Sequence, residues 1–324
     1  VPLNDLMPNY SNGIVTARDG LVIDPDKEHL EARITEFAMR SDETATVCEE
    51  MGVRPKKGWD AHGARERTRT ALKAGEDWLF PILYRPFEPA WVFYHPALIQ
   101  TVSSTSWQMC VKDNVALLVP RTVKGGAFRH VMVTGRMSEA ICLSTQTSVN
   151  GNCFPLWNYP DAKSQVLARR NLGPSRGTVL ARRANLNRAA LEGMPEVVRD
   201  APPITLFHAA VAILHSETYR HRYRTLLGQS FPRIPMPRTR GCLNRLAAIG
   251  MELPSLYDPD EIRPNGPLKV KGRGDHVIRC ARYRTDEHRI QFNDTQSIGP
   301  VTPKQWAYHI GDYRVLKRWL VGGR

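Results

Sequence analysis

The sequence predicts a mixed α/β fold of the α+β kind. A sheet of short strands has helices on its flanks, and a helical C-terminal part carries an added hairpin. Three observations predict it. Short β-branched and aromatic runs sit close together between residues 78 and 158. Apolar residues recur at helical spacing before and after that region. No run approaches the ~20 apolar residues a membrane span needs, the longest being Val115 to Pro120 and Ala209 to Leu214.

Asn12-Gly13 is a turn signal, and Leu21-Val22-Ile23 reads as a short strand closed by Asp24-Pro25. From Asp26 to about Met39, Leu30, Ile34, Phe37 and Ala38 mark one helical face. A second helix, polar and mixed in charge, runs from Trp59 to Lys73. Trp78 to Tyr94 reads as strand, turn and strand. Val115 to Val119 is a buried strand, followed by a basic, glycine-containing loop from Arg121 to Gly126. His130 to Val133, Ile141 to Thr147 and Cys153 to Asn158 complete the short strands.

Residues 162–203 differ in character. Between Asp161 and Glu192 there is no acidic residue but seven cations, and Gly173-Pro174-Ser175 interrupts any helix. This stretch reads as an Arg-rich loop or linker between an N-terminal part, 1–161, and a C-terminal part, 204–324. Ile204 to Leu227 reads as one helix through Leu206, Ala210, Ile213, Leu214, Tyr219 and Tyr223. Phe231 to Pro237 carries too many prolines to be helical. A helix from Thr239 or Arg240 to about Leu253, a hairpin within His276 to Phe292, and a final helix from Thr302-Pro303 to Leu320, with Gly311 near a break, end the chain.

The 324 residues hold 45 Lys and Arg against 32 Asp and Glu, a formal charge of +13. Residues 1–100 carry 12 basic and 16 acidic side chains, and residues 101–250 carry 20 and 7. The middle of the chain therefore holds the whole net excess, mostly as Arg. Guanidinium presents a planar fork of donors that suits phosphate and the guanine edge. A localised block of this kind points to a polyanionic partner, nucleic acid above all.

Several chemistries lack their signatures. The dipeptide Gly-Lys of a phosphate-binding loop never occurs. Gly272-Arg273-Gly274 lacks the third glycine of a dinucleotide fingerprint. His215-Ser216-Glu217 has no Pro-Cys-x-x-Cys partner, so His215 is read as structural. Cys48, Cys110, Cys142, Cys153, Cys242 and Cys280 form no Cys-x-x-Cys pair and read as free thiols of a reducing cytoplasm. Asp258, Asp260 and Glu261 cluster on a proline-flanked loop, and no nucleophile elbow occurs. The chain is expected to carry no catalytic centre and to bind no cofactor or metal of its own.

Specific blocks sharpen this picture. Tyr84-Arg85-Pro86-Phe87-Glu88-Pro89-Ala90-Trp91-Val92-Phe93-Tyr94 resembles the "YRPFD-x-RW-x-YY" block of Type ISP restriction-modification enzymes. Asn12 to Asp19 resembles the "SG-x-x-TGRD" opening of their specificity region. Asn114 to Val133, Cys153 to Pro160, Asn185-Leu186-Asn187, Ala212 to Tyr223, Phe231 to Pro237 and Trp306 to Leu320 resemble further blocks in the same order. The likeness covers about residues 9–320. Departures occur at Ala17, Ala90 and Pro120-Arg121-Thr122, and the Asn-Pro-Pro-Tyr motif of the methyltransferase is absent.

The resemblance implies a target-recognition domain that binds double-stranded DNA in the bacterial cytoplasm, away from membranes. It implies that methyltransferase and helicase or nuclease modules lie elsewhere in a longer polypeptide. S-adenosylmethionine, ATP and Mg would belong to those modules. The absence of an initiator Met at Val1 is read the same way, as a fragment or processed product. The expected DNA contacts are Arg18, Arg85, Arg121, Lys124, Arg136, Ser144 and Thr147, with Arg169, Arg170, Arg182 and Arg183 in a phosphate tether. Arg85, beside Phe87 and Trp91, is equally read as a buried structural group. The competing readings are a stand-alone DNA-processing enzyme (a divergent nuclease or degenerate methyltransferase) and a non-catalytic assembly domain.

Overall fold

A computed structural model describes the chain except residues 112–113, 125–126, 145–148, 173–180, 258–267 and 323–324, and except the side chains of 168–172, 254–257 and 322. Two four-stranded sheets form the centre. The first orders Ser11–Asn12, Gly151–Pro155, Ala116–Pro120 and Met132–Thr134, all antiparallel. Every residue of Ala116–Pro120 and Gly151–Pro155 is buried, so these strands are covered on both faces and need no polar alternation. The second sheet orders Ile23–Asp24, Glu88–Phe93, Leu79–Arg85 and Met137–Ser138, with its last pair parallel.

Helices cover the second sheet. Lys27–Met39 begins where the Asp26 carboxylate accepts from the His29 amide at 2.9 Å. It buries Leu30, Ile34, Phe37 and Ala38, the face the spacing predicts. Ala61–Lys73 is capped by Asp60 in the same way. Its buried Arg65 donates to the carbonyls of Phe37 and Asp42, at 2.8 and 2.7 Å, so the cation ties the two helices by hydrogen bonds.

One apolar cluster runs from Leu3 through the sheets to Leu243 and Ile310. Its members come from both sides of residues 162–203. A third sheet, ordered Lys269–Lys271, Ser297–Gly299, Arg289–Gln291 and Arg282–Arg284, packs on a smaller cluster of Ile290, Val301 and Leu320.

Several expectations change in the structure. Leu21 and Val22 end a helical turn, Asp19–Val22, and only Ile23–Asp24 is strand. Ile141 to Leu143 form a turn in place of a strand, with Ile141 N bonded to the Glu139 carboxylate at 2.8 Å. Within residues 162–203, Ala162–Leu172 is helical, and Asn185, Leu191, Val198 and Ala201 are buried. Asn185 donates to the carbonyls of Asn9 and Pro155 at 2.7 and 2.9 Å, which ties this segment to the chain start.

The expected helix over 204–227 is three: Pro203–His215, Glu217–Arg222 and Arg224–Leu227. Ser216 is extended, and its hydroxyl caps the second segment at Tyr219 N, 3.3 Å away. The final helix is likewise divided. Pro303–Trp306 and Val315–Gly322 flank a hairpin of His309–Ile310 and Tyr313–Arg314. Gly311 turns that hairpin at φ +57°, and a Cβ there would lie 1.6 Å from the Leu143 carbonyl oxygen.

Candidate nucleic-acid interface

Residues from the quoted blocks meet inside the molecule. Tyr84 Oη donates to Asp19 Oδ2 at 2.9 Å. Arg85 reaches Glu139 at 2.8 Å and lies over the Tyr84 ring at 3.9 Å. Burial raises the Glu139 carboxyl above its usual range, partly offset by the Arg85 charge. Burial also pushes the Tyr84 hydroxyl up to about 12. Arg318 holds Glu88 at 2.9 Å, so the C-terminal helix closes on the turn between the two central strands. Tyr84, Phe87, Glu88, Arg318 and the exposed Trp319 line a cleft of about 380 Å³ above this lattice.

Three expected contacts therefore prove to be interior groups. Arg85 is spent on Glu139 and the Tyr84 carbonyl. Arg18 is buried, donates to the Leu98 carbonyl at 3.1 Å and stacks on Trp59 at 4.0 Å. Ser144 is fully buried and donates to Asp312 at 2.5 Å. In this structure these three side chains are packed inside the molecule, as the alternative reading of Arg85 has it.

Other expected contacts face solvent. Arg121 and Lys124 are exposed on the loop after Ala116–Pro120. That loop is laid against the end of Arg224–Leu227 by the bond from Val123 N to Gly228 O, 3.2 Å. Arg182 and Arg183 are exposed at a second place, where Arg183–Ala184 pairs with Trp157–Asn158. The Arg182 guanidinium lies 4.2 Å over the Trp157 ring. Arg136 is half-buried, its amide bonded to Thr134 Oγ1 at 3.0 Å. Thr147 lies outside the described residues. Arg169 and Arg170 fall in helix Ala162–Leu172, with side chains outside the described set.

A second cleft, of about 410 Å³, was not foreseen from sequence. Arg129, Arg220, His221, Arg224, Lys304 and Tyr308 are among its walls. They come from three distant segments, which is why no linear motif marks them. The one available signal is the density of Arg220, Arg222 and Arg224.

Among the described residues, no group of three or more His, Cys, Asp or Glu side chains could hold a metal ion. No helix of the described chain is long and apolar enough to cross a membrane. All six cysteines are free, with Cys142 and Cys153 fully enclosed and their thiols raised by burial.

The chain is a mixed α/β scaffold with a packed polar lattice inside and arginines on its surface. The particular family follows from comparison: residues 5–323 match the Type ISP C-terminal specificity domain, and the chain belongs to that family. Similar solved structures agree in fold. A cryoEM structure of a DrdV–DNA complex superposes with TM-score 0.69 at 20% identity, over 97% of this chain and 31% of that one. The ATP-dependent Type ISP restriction-modification enzyme LlaBIII, bound to DNA, gives TM-score 0.69 at 16% identity, over 97% and 20%. A nuclease-deletion mutant of the Type ISP enzyme LlaGI with a DNA substrate mimic gives 0.64 at 16%, over 97% and 24%. The chain thus spans a fifth to a third of the length of these enzymes. No curated protein matches it.

Proposed function

We propose that this chain reads a specific sequence in double-stranded DNA as the specificity module of a bacterial restriction-modification enzyme that methylates adenine. The observation that carries this reading is the match to a specificity-domain family along nearly the whole chain. The solved relatives bound to DNA support it, as do exposed cations on a chain of charge +13. The module itself does no covalent chemistry. Methyltransferase and helicase or nuclease modules of the same polypeptide, in the bacterial cytoplasm, supply it with S-adenosylmethionine, ATP and Mg.

The physical division of labour is simple. Arg121, Lys124 and Arg183 neutralise phosphates and release counterions, which gives affinity without sequence information. Arg136, Thr147, Arg169 and Arg170 extend the same contact. The Arg182 guanidinium lies 4.2 Å over the Trp157 ring. A guanidinium resting on an aromatic ring has less freedom to lose on binding, and its fork of donors is suited to the paired acceptors of a guanine edge. With the duplex held in register, the methyltransferase module can extrude its target adenine.

Selection from a random duplex pool tests the reading. The full chain should enrich one short sequence over several rounds. Salt-sensitive binding with no enrichment would overturn sequence recognition by this module.

A further inference from the structure

We infer that the cleft between residues 127–129, the helices Glu217–Arg222 and Arg224–Leu227, and residues 304–309 binds a backbone phosphate of the DNA, a contact without sequence information. The inference rests on the DNA-binding reading and assigns it a second, separate set of residues.

The charge balance of the cleft comes first. Arg129, Arg220, Arg224, Lys304 and His221 line it, and Glu217 is its one acidic group. Glu217 reaches Lys304 only at 4.0 Å, with both side chains almost fully exposed. Among the described residues, neither Arg129 nor Arg224 has a carboxylate partner. Like charges gathered in a concave site repel one another, and an anion placed between them relieves the repulsion.

The chemistry of the lining then narrows the anion. A guanine edge presents two uncharged acceptors that a single guanidinium satisfies, and the other base edges call for amide or carboxylate side chains. Several cations gathered at one point favour a group that carries negative charge. The cleft has no Asn or Gln in its walls, and its guanidinium and ammonium groups only donate. A phosphodiester only accepts. The match is to phosphate.

The site is also held in place. Gly311 N bonds the Arg129 carbonyl at 2.9 Å, which pins one wall to the C-terminal hairpin. Arg220 Nε donates to the Leu214 carbonyl at 2.6 Å, and Tyr219 Oη to that of Arg233 at 2.7 Å, which pins the other. The bond from Val123 N to Gly228 O puts the Arg121–Lys124 loop against the same helices.

The test compares the full wild-type chain with Arg129→Ala/Arg224→Ala and with Lys304→Glu, on random duplex DNA and on the selected sequence, across salt. The double variant should weaken both duplexes by the same factor, about tenfold or more at moderate salt. It should also lose roughly one to two from the slope of log K against log salt. Lys304→Glu, on a side chain that is almost fully exposed, should act in the same direction without changing the melting temperature. Unchanged affinity and slope in both variants would overturn the inference while wild-type binding stands. Loss of preference at one base position would overturn it too, as the mark of a base contact. A wild-type chain that binds neither duplex would overturn the DNA-binding reading itself, and this assignment with it.

Discussion

Arg85 and Glu139 lie 54 residues apart in the chain and form an ion pair at 2.8 Å, each less than a tenth exposed. The pair joins strand Leu79–Arg85 to the residue just after Met137–Ser138, its parallel neighbour. Glu139 also receives the Ile141 amide. One carboxylate thus fixes the turn over Ile141 to Leu143, where the spacing predicts the start of a strand.

Removing one partner of this pair should cost far more than removing both. Glu139→Ala leaves a buried, unpaired guanidinium and should destabilise the chain by about 3–5 kcal/mol. Arg85→Met/Glu139→Leu replaces the pair with apolar groups and should recover much of that loss. Urea midpoints of the three proteins check it. Equal losses in the single and double variants would mean that the pair matters through packing alone.

Gly311→Ala should loosen the C-terminal hairpin. The new Cβ would collide with the Leu143 carbonyl oxygen, and the backbone there is left-handed, at φ +57°. A loss of about 1–3 kcal/mol follows from that strain. Hydrogen exchange should show it first at the amides of Gly311 and Asp312, which bond Arg129 and Leu143. Unchanged protection would contradict the clash.

Acid should destabilise the fold through histidines that it buries or half-buries. Burial lowers His215 from 6.5 to about 4, and lowers His95, His130 and His208 as well. The unfolded chain therefore takes up these protons first as pH falls. For His215, stability is undiminished above pH 6.5, drops between 6.5 and 4, and levels off below, by at most about 3 kcal/mol. His215→Gln should flatten the dependence of melting temperature on pH across that window. An identical slope in wild type and variant would refute the assignment to His215.

How far these features could be read in the sequence depends on whether their causes are local. The helix over 27–39 is legible because its cap, Asp26, and its buried face, Leu30, Ile34, Phe37 and Ala38, lie within fourteen residues. The hairpin of Leu79–Arg85 and Glu88–Phe93 is legible for the same reason. The break at Ser216 is set by one hydroxyl competing for a backbone amide, which apolar periodicity does not register. Arg169 and Arg170 sit in a helix that the acid-free composition disguised as a loop.

The candidate site divides along the same line. The basic, glycine-containing loop marked Arg121 and Lys124, and arginine density marked Arg182 and Arg183; all four face solvent. Density alone could not separate them from Arg18 and Arg85, whose partners, Leu98 and Glu139, are remote in sequence. The cleft of Arg129, Arg224 and Lys304 needs three segments to close, and only the fold brings them together.

Surface and interior arginines should separate in binding experiments. Arg121→Ala/Lys124→Ala should keep the melting temperature and weaken DNA binding evenly across sequences. Arg182→Ala should also keep stability, and should relax preference at one base pair, worth about 1–3 kcal/mol of discrimination. Arg18→Ala should instead lower stability, since it unpairs the Leu98 carbonyl and uncovers Trp59. Binding profiles on single-base variants of the selected site distinguish the three. An Arg182 variant with full discrimination would remove Arg182 from the reading surface.

The most direct test of the central claim is the affinity of the full wild-type chain for random-sequence duplex DNA, measured from low to high salt. A DNA-reading module that neutralises several phosphates should lose affinity linearly in log K against log salt, with a slope steeper than about −3. Negligible affinity, or affinity that does not change with salt, would contradict the account.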